Sequence, residues 1–409
     1  MIKPLRGMKD LAFEDAAKFQ YFIKKAESVA KRYGYSYVET PILEDTALFK
    51  RSVGESSDIV NKEMYQFIDK GGNDVCMRPE GTAGVVRFFI SNKLDRQQGK
   101  FKFFYYGPMF RYERPQKGRL REFHQFGCES FGEASVYEDY TIIELIAAIF
   151  DALNIKYALE INSLGCQECM PQYRESLVEF LENRKEHLCE DCNRRITTNP
   201  IRVLDCKNPH CQEQLVDAPK ITGSLCSSCE SDFTKLKSLL EQNGIEYKVN
   251  SNLVRGLDYY NKTAFEFVSS EIGAQSAIAG GGRYDRLVEF LDGKPTPAIG
   301  FAIGIERVMD LITLPKEQKS GYYIGVMESE ALDNAIAIAK ALKMSESVTV
   351  EYAPRKLKAH LKAADKMNAR YCIVIGEDEL QNGTLWIKDL VEKVENTLPQ
   401  ESFLKRNKL

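Results

Sequence analysis

The chain has 409 residues, 44% of them apolar and 28% charged, and a formal net charge of -3. One hydrophobic core rarely serves that length, so two or three domains are expected, and a nucleic-acid partner would have to be met by local basic patches rather than bulk charge. No apolar run reaches the ~18 residues of a membrane span, and the N-terminal MIKPLRGMKDLAFED lacks the apolar core of a signal peptide, so a cytoplasmic protein without a membrane partner is expected.

In chain order, Phe19, Phe22, Ile23, Ala26, Val29 and Ala30 recur at helical spacing and predict a helix over 14–33. Residues 35–41 read as a strand that stops where Pro41 cannot donate to a ladder. Two β-prone runs, 64–68 and 75–78, flank the turn DKGGND and predict a hairpin, with a helix over 81–91 behind it. Residues 102–106 and 122–129 read as strands around a charged loop, 111–121, which contains Pro115 and Gly118. Residues 166–232 differ in composition and read as an insertion. The strand pattern returns at 264–268 and 276–279, then runs into Gly280-Gly281-Gly282 and on to 298–307. The polar stretch 314–321 holds both helix breakers and reads as a linker. Beyond it, strands at 322–327, 348–352 and 371–375 alternate with helices at 331–342 and 357–368, which predicts a small α/β domain. The fold class expected is therefore α+β, an antiparallel sheet flanked by helices over 1–165 and 233–313. A cysteine-rich insertion spans 166–232, and the α/β domain spans 320–409.

Five segments carry candidate chemistry. Five cations occupy the eleven positions from Arg111 to Arg121, and arginine forks suit phosphate oxygens, although a solvated loop has the same composition. Phe123, on the next strand, could stack on a purine. Arg78-Pro79-Glu80-Gly81-Thr82 puts a carboxylate at a helix start, where it could seat an ammonium group or simply cap the helix. Val254 to Tyr260 could bind a ligand or form an aromatic strand edge. The glycine triplet before Arg283-Tyr284-Asp285 permits close backbone approach to a ligand or a tight turn; it has neither the Rossmann spacing nor a P-loop lysine. Small residues at 300–304 precede a helix that presents Arg307.

Taken together, these segments resemble class II aminoacyl-tRNA synthetases. Residues 110–115 (FRYERP) look like motif 2, 300–307 like motif 3, and 37–41 like motif 1, whose proline lies at the dimer interface in that class. Arg255-Gly-Leu-Asp-Tyr-Tyr260 and Ala279-Gly-Gly-Gly-Arg-Tyr-Asp285 are similar to the two histidine-specific motifs of the histidyl-tRNA synthetase family. The resemblance implies ligation of histidine to tRNA(His) through histidyl-adenylate, with ATP and Mg²⁺, by a homodimer. It implies that Glu80, Gly81 and Thr82 hold the α-amino end of histidine. Gln125, Glu129, Tyr259, Tyr260 and Tyr284 would read the rest. Arg111 and Arg255 would act on the α-phosphate and carry the catalysis. Glu113, Arg119 and Phe123 would hold the remainder of ATP, and Arg307 the γ-phosphate. Gln116, Lys117 and Arg119 would meet the acceptor end of the tRNA. The last domain would read the anticodon, aided by a helix face of Lys358, Lys362, Lys366 and Arg370 opposed only by Asp365. Two alternatives share part of these features: the non-catalytic synthetase-like regulatory subunit of ATP phosphoribosyltransferase, and a class II ligase for another amino acid such as proline or threonine.

Of eleven cysteines, Cys76, Cys128 and Cys372 read as core thiols. The other eight form the pairs Cys166/Cys169, Cys189/Cys192, Cys206/Cys211 and Cys226/Cys229, three of them with the C-x₂-C spacing of zinc knuckles. Eight thiolates could bind two Zn²⁺ ions, with His210 a substitute ligand. Free packed thiols are the alternative, and disulfides fit a reducing compartment poorly.

Overall fold

The computed structural model describes residues 2–406 apart from 55–56, 117, 205, 207, 255–256, 258, 274–276 and 317. The chain divides into two units, Met1–Leu314 and Pro315–Leu409, and the boundary falls in the polar linker.

In the first unit the strands are β1 (Ser36–Tyr37), β2 (Leu43–Asp45), β3 (Gln66–Ile68), β4 (Asp74–Met77), β5 (Phe101–Phe110), β6 (Glu122–Phe131), β7 (Ala158–Ser163), β8 (Tyr247–Val249), β9 (Asn261–Val268), β10 (Ala277–Arg283) and β11 (Ala298–Gly304). Eight of them form one sheet in the order β1-β5-β6-β11-β10-β9-β7-β8. Its interior is antiparallel as expected, but both edge pairs, β1 with β5 and β7 with β8, are parallel, so the sheet is mixed. The expected hairpin is β3 with β4, joined by β2 in a three-stranded sheet. The segment 253–260 is not a strand edge in its described residues, and the glycine triplet lies within β10 rather than in a turn.

One face of the large sheet is covered by two helices, Phe13–Arg32 and Val136–Ala152. The first buries Phe22, Ile23, Ala26, Val29 and Ala30, one stripe of a 3.6-residue period. The second starts at Ser135, whose side chain accepts from the Tyr137 N–H, and buries Ile142, Ile146, Ile149 and Phe150 against Phe104, Phe126, Phe265 and Phe301 of the strands. The opposite face packs Val85, Val86 and Phe89 of the helix Thr82–Ser91 over Tyr105, Met109 and Phe131.

The cysteine-rich segment leaves the sheet after β7. Its start is pinned to β9: the Leu164 N–H donates to the Lys262 carbonyl at 2.6 Å and the Lys262 N–H to that of Gly165 at 2.8 Å. The segment holds the helices Met170–Glu182, Glu190–Thr198 and Pro209–Gln214, with a small apolar core of their own around Tyr173, Leu177, Leu181, Ile196 and Val203, while the helix Ser227–Gln242 contributes Cys229 to that core and buries Phe233, Leu236 and Leu240 in the main one. Arg195 ties this segment to the rest of the unit through Asp58, at 2.9 Å.

The second unit holds β12 (Tyr322–Val326), β13 (Val348–Val350), β14 (Tyr371–Ile375), β15 (Thr384–Asp389) and β16 (Glu395–Pro399) in the order β13-β12-β14-β15-β16. The first three are parallel, with crossover helices Leu332–Leu342 and Leu357–Lys366, as the alternation predicts. The antiparallel strands β15 and β16 add to that α/β pattern.

Candidate active site

Along β6 the two-residue period turns Phe123, Gln125, Gly127 and Glu129 to one face and His124, Phe126 and Cys128 to the other. On the first of these faces lies a cavity of about 210 Å³. Glu80, Thr82, Gln125, Tyr259 and Tyr260 line one part of it, and Arg111, Glu113, Arg119, Phe123 and Arg307 another. The sequence expected these side chains to act together, and they share one wall. Arg255, Asp258 and Lys117 lie outside the described residues.

In the first part, Glu80 caps the helix Thr82–Ser91, accepting from the N–H groups of Thr82 (2.6 Å) and Ala83 (2.9 Å). Burial raises its pKa. Thr82 Oγ1 in turn donates to Glu129 at 2.7 Å, and the hydroxyls of Tyr105 and Tyr284 also reach Glu129. No cation pairs with Glu129 among the described residues, and burial pushes its carboxyl up from 4.5 to about 8. Glu129, Tyr284 and Gly81 stand behind the cavity wall rather than on it. Two polar atoms near the wall, Tyr259 Oη and Gln125 Oε1, are buried without a hydrogen-bond partner among the described residues. Such atoms are costly unless a ligand or water satisfies them.

Two glycines make this packing feasible. A Cβ at position 81 would fall 2.1 Å from the Tyr105 ring, and one at 300 would fall 1.7 Å from Glu129 Oε2. Tyr105 is the member of this group that sequence reasoning did not single out. The glycines at 81 and 127, both of which lean on its ring, were the available signal.

In the second part, backbone carbonyls fix the arginines. Arg111 Nε donates to the Pro79 carbonyl at 2.9 Å, and its guanidinium sits 5.3 Å from the Phe123 ring centre. Arg307 donates to the carbonyls of Gly118 (3.0 Å) and Ala277 (2.7 Å). Arg119 pairs with Glu113 at 3.0 Å. Burial, then the positive charge of Arg119, lowers the pKa of Arg307, while Glu113 acts against the shift. An adjoining open hollow of about 960 Å³ is lined by Gln116, Gly118 and the N-terminal residues 3–11.

The glycine-triplet motif divides in function. Gly280 lines the cavity, while a Cβ on Gly281 would strike the Gly300 carbonyl at 2.1 Å. Arg283 is buried and structural, bonding Asp139 through Nε at 2.7 Å and the carbonyls of Glu133 and Ser135.

In the second unit Lys358, Lys362 and Lys366 are exposed on one helix as expected. Arg370 is not on that face: the helix ends at Lys366, and Arg370 pairs with Asp389 at 3.3 Å. Asp365 is engaged by Lys319.

The eight clustered cysteines fall into two groups, Cys166, Cys169, Cys226 and Cys229, and Cys189, Cys192, Cys206 and Cys211. His210 joins neither; its side chain is exposed, 3.9 Å from Glu213.

The family model described as histidyl-tRNA synthetase matches residues 7–308, and an anticodon binding domain model matches 314–408. A histidine–tRNA ligase of Sulfurovum sp. (strain NBC37-1) is 68% identical over 97% of this chain and 99% of its own. That of Sulfurimonas denitrificans is 62% identical over 98% and 100%. The structure of apo S. aureus histidyl-tRNA synthetase is 33% identical, with a TM-score of 0.84 over all of both chains.

Proposed function

The chain belongs to the histidyl-tRNA synthetase family and ligates histidine to tRNA(His) at the expense of ATP, and we propose that the 210 Å³ cavity is where histidyl-adenylate forms. The observation that carries this reading is the two-part wall: arginines on fixed carbonyls at one end, and buried unpaired polar atoms at the other.

Glu80 and Thr82 take the α-ammonium of histidine. Gln125, Tyr259 and Tyr260 offer donors and acceptors to its carboxylate and imidazole, with Glu129 and Tyr284 behind them. An imidazole has one N–H and one lone pair, so a phenol and a carboxyl together select it, and isosteres lacking a nitrogen leave a site group unpaired. Arg111 holds the α-phosphate, joined by Arg255 on the strength of its motif. Phe123 and Glu113 hold adenine, Arg119 the phosphate chain and Arg307 its end.

A carboxylate oxygen of histidine attacks the α-phosphorus. One P–O bond forms and the bond to the leaving pyrophosphate breaks. No proton need move, so the chain's part is alignment and charge neutralisation. Glu266, on the cavity wall, offers the oxygen ligand that Mg²⁺ prefers and would help hold such an ion, which would supply neutralisation of the phosphate charge. The ribose hydroxyl of the tRNA end then attacks the adenylate carbonyl and releases AMP. Gln116, Lys117 and Arg119 are assigned to that end.

The catalytically silent regulatory subunit is not favoured: Arg111 and Arg307 are both present, and an anticodon binding domain follows. We assign a homodimer to the exposed apolar side chains Tyr37, Ile42, Leu43, Phe67 and Ile68, near exposed Pro41 and mostly on the three-stranded sheet. A cytoplasmic location is proposed, and no helix among the described residues is long and apolar enough to cross a membrane. Zinc is the metal proposed for the cysteine module.

The test is pyrophosphate exchange into ATP with each of the twenty amino acids and no tRNA. Exchange with histidine alone is expected, and its loss in Arg111→Ala. Folded protein that exchanges with no amino acid refutes the reading.

A further inference from the structure

The module between Cys166 and Cys229 brings its thiols together in an order that sequence spacing does not give. The first knuckle joins the last, Cys166 and Cys169 with Cys226 and Cys229. The middle four, Cys189, Cys192, Cys206 and Cys211, close on themselves. In each group all four sulfur atoms lie within 4.8 Å of one another. Cys166 Sγ is 3.7 Å from both Cys169 Sγ and Cys226 Sγ, and Cys189 Sγ is 3.9 Å from Cys206 Sγ.

Those separations carry the chemical argument. A tetrahedral ion with Zn–S bonds of about 2.3 Å sets its ligands roughly 3.8 Å apart. A disulfide needs about 2.05 Å, and all of these cysteines are free. A polynuclear iron–sulfur cluster spreads its thiolates more widely than either group allows.

The surroundings favour thiolates independently. The Cys226 N–H donates to Cys169 Sγ, and the Cys189 N–H to Cys211 Sγ, each at 3.2 Å. Outer hydrogen bonds of this kind orient and stabilise metal ligands. Cys189 and Cys226 immediately precede the helices Glu190–Thr198 and Ser227–Gln242, and Cys192 and Cys229 sit in their first turns. A helix start favours negative charge. The module's apolar core is small and built around the cysteines themselves, the situation in which small folds add a metal.

We propose that this module holds two structural Zn²⁺ ions in nested four-thiolate sites, an outer ion on Cys166, Cys169, Cys226 and Cys229 and an inner ion on Cys189, Cys192, Cys206 and Cys211. This rests on the reading of the module as zinc-binding and deepens it to ligand assignment and stoichiometry. Each site is closed, with four protein ligands and no open position, so neither ion takes part in the ligase reaction. Binding displaces the thiol protons and leaves a tetrathiolate complex of net charge -2. The inner site lies wholly within the loop that the outer site closes, so the inner ion can be lost without opening the outer one.

The test is elemental analysis of the full chain purified under reducing conditions, followed by cobalt(II) replacement read by visible absorption. Two zinc per chain and cobalt saturation at two equivalents are expected, with the intense visible d–d bands of a tetrahedral thiolate site. The double variants Cys189→Ser/Cys192→Ser and Cys226→Ser/Cys229→Ser should each lose one of the two ions. One ion in the native chain overturns the nested pair. No ion, or iron in place of zinc, overturns zinc altogether. Histidine-dependent exchange measured on the same preparation keeps the ligase reading separate, because it can stand when either zinc statement falls.

Discussion

Glu129→Gln tests the buried carboxyl at the centre of the amino-acid pocket. Glu129 is fully buried, meets three hydroxyls and no cation among the described residues, and its pKa is raised from 4.5 to about 8. The folded chain therefore holds this proton more tightly than the unfolded chain. Stability from this group is complete below about pH 4.5 and is lost as pH rises towards 8. At about 1.4 kcal/mol for each tenfold change in proton affinity, that rise sets a ceiling of ~5 kcal/mol across that window. Hydroxyl reorientation and water entry will reduce it, so about half is the working expectation. Urea unfolding of the full chain at pH 5, 6, 7 and 8 measures it. The single tryptophan, Trp386, lies in the second unit, so its fluorescence follows that unit, while circular dichroism follows both and the difference isolates the first. The native first unit should lose stability with rising pH, and Glu129→Gln, which cannot ionise, should lose less. The fluorescence transition should be the same in both proteins. Parallel pH curves for the two first units would refute the claim that this carboxyl is buried as a neutral acid.

Phe123→Ala should raise the ATP KM in pyrophosphate exchange by about 5- to 150-fold, since stacking on a base is worth about 1–3 kcal/mol; an unchanged KM for ATP would remove Phe123 from the adenine site. Replacing Lys358, Lys362 and Lys366 together by Ala should raise the KM for tRNA and flatten its salt dependence while leaving exchange untouched. An unaltered salt slope would mean those lysines are merely solvated. Arg283→Met should destabilise the first unit by about 3–5 kcal/mol in urea, because it strands Asp139 as an unpaired buried charge. Arg283→Met with Asp139→Asn should recover part of that loss, and a single variant as stable as native would show that the pair is not held as described.

The catalytic core was legible because its signals are local. Residues 101–131 have the two-residue alternation of a hairpin, and the apolar stripe at 19–30 has a helical one. The site residues could be gathered because their motifs occur in a known order. Strand direction at the sheet edges has no local signature, so parallel β1 and β8 could not be read from the sequence. The pair β15 and β16 was missed because TLWIKD and ENTLP are short and mixed in polarity, and they become strands only by pairing with β14 and with each other. Arg283 shows the same limit in the site itself. Nothing near it in sequence separates a phosphate-binding arginine from a buried structural one, because its partner Asp139 lies 144 positions away. The cysteine pairs were evident, but which pair meets which depends on how the helices between them fold back.

The meeting of Cys166 with Cys226 makes the stretch between them an exchangeable cassette. Residues 167–225 leave and return through one throat, where Cys166 Sγ and Cys226 Sγ stand 3.7 Å apart, and beyond it Arg195 reaches Asp58. Strands β6, β10 and β11, which carry the pocket, lie outside that excursion. The interior of the cassette can therefore lengthen, shrink or be exchanged over evolutionary time without disturbing the register of the strands that do the chemistry, provided the throat stays shut.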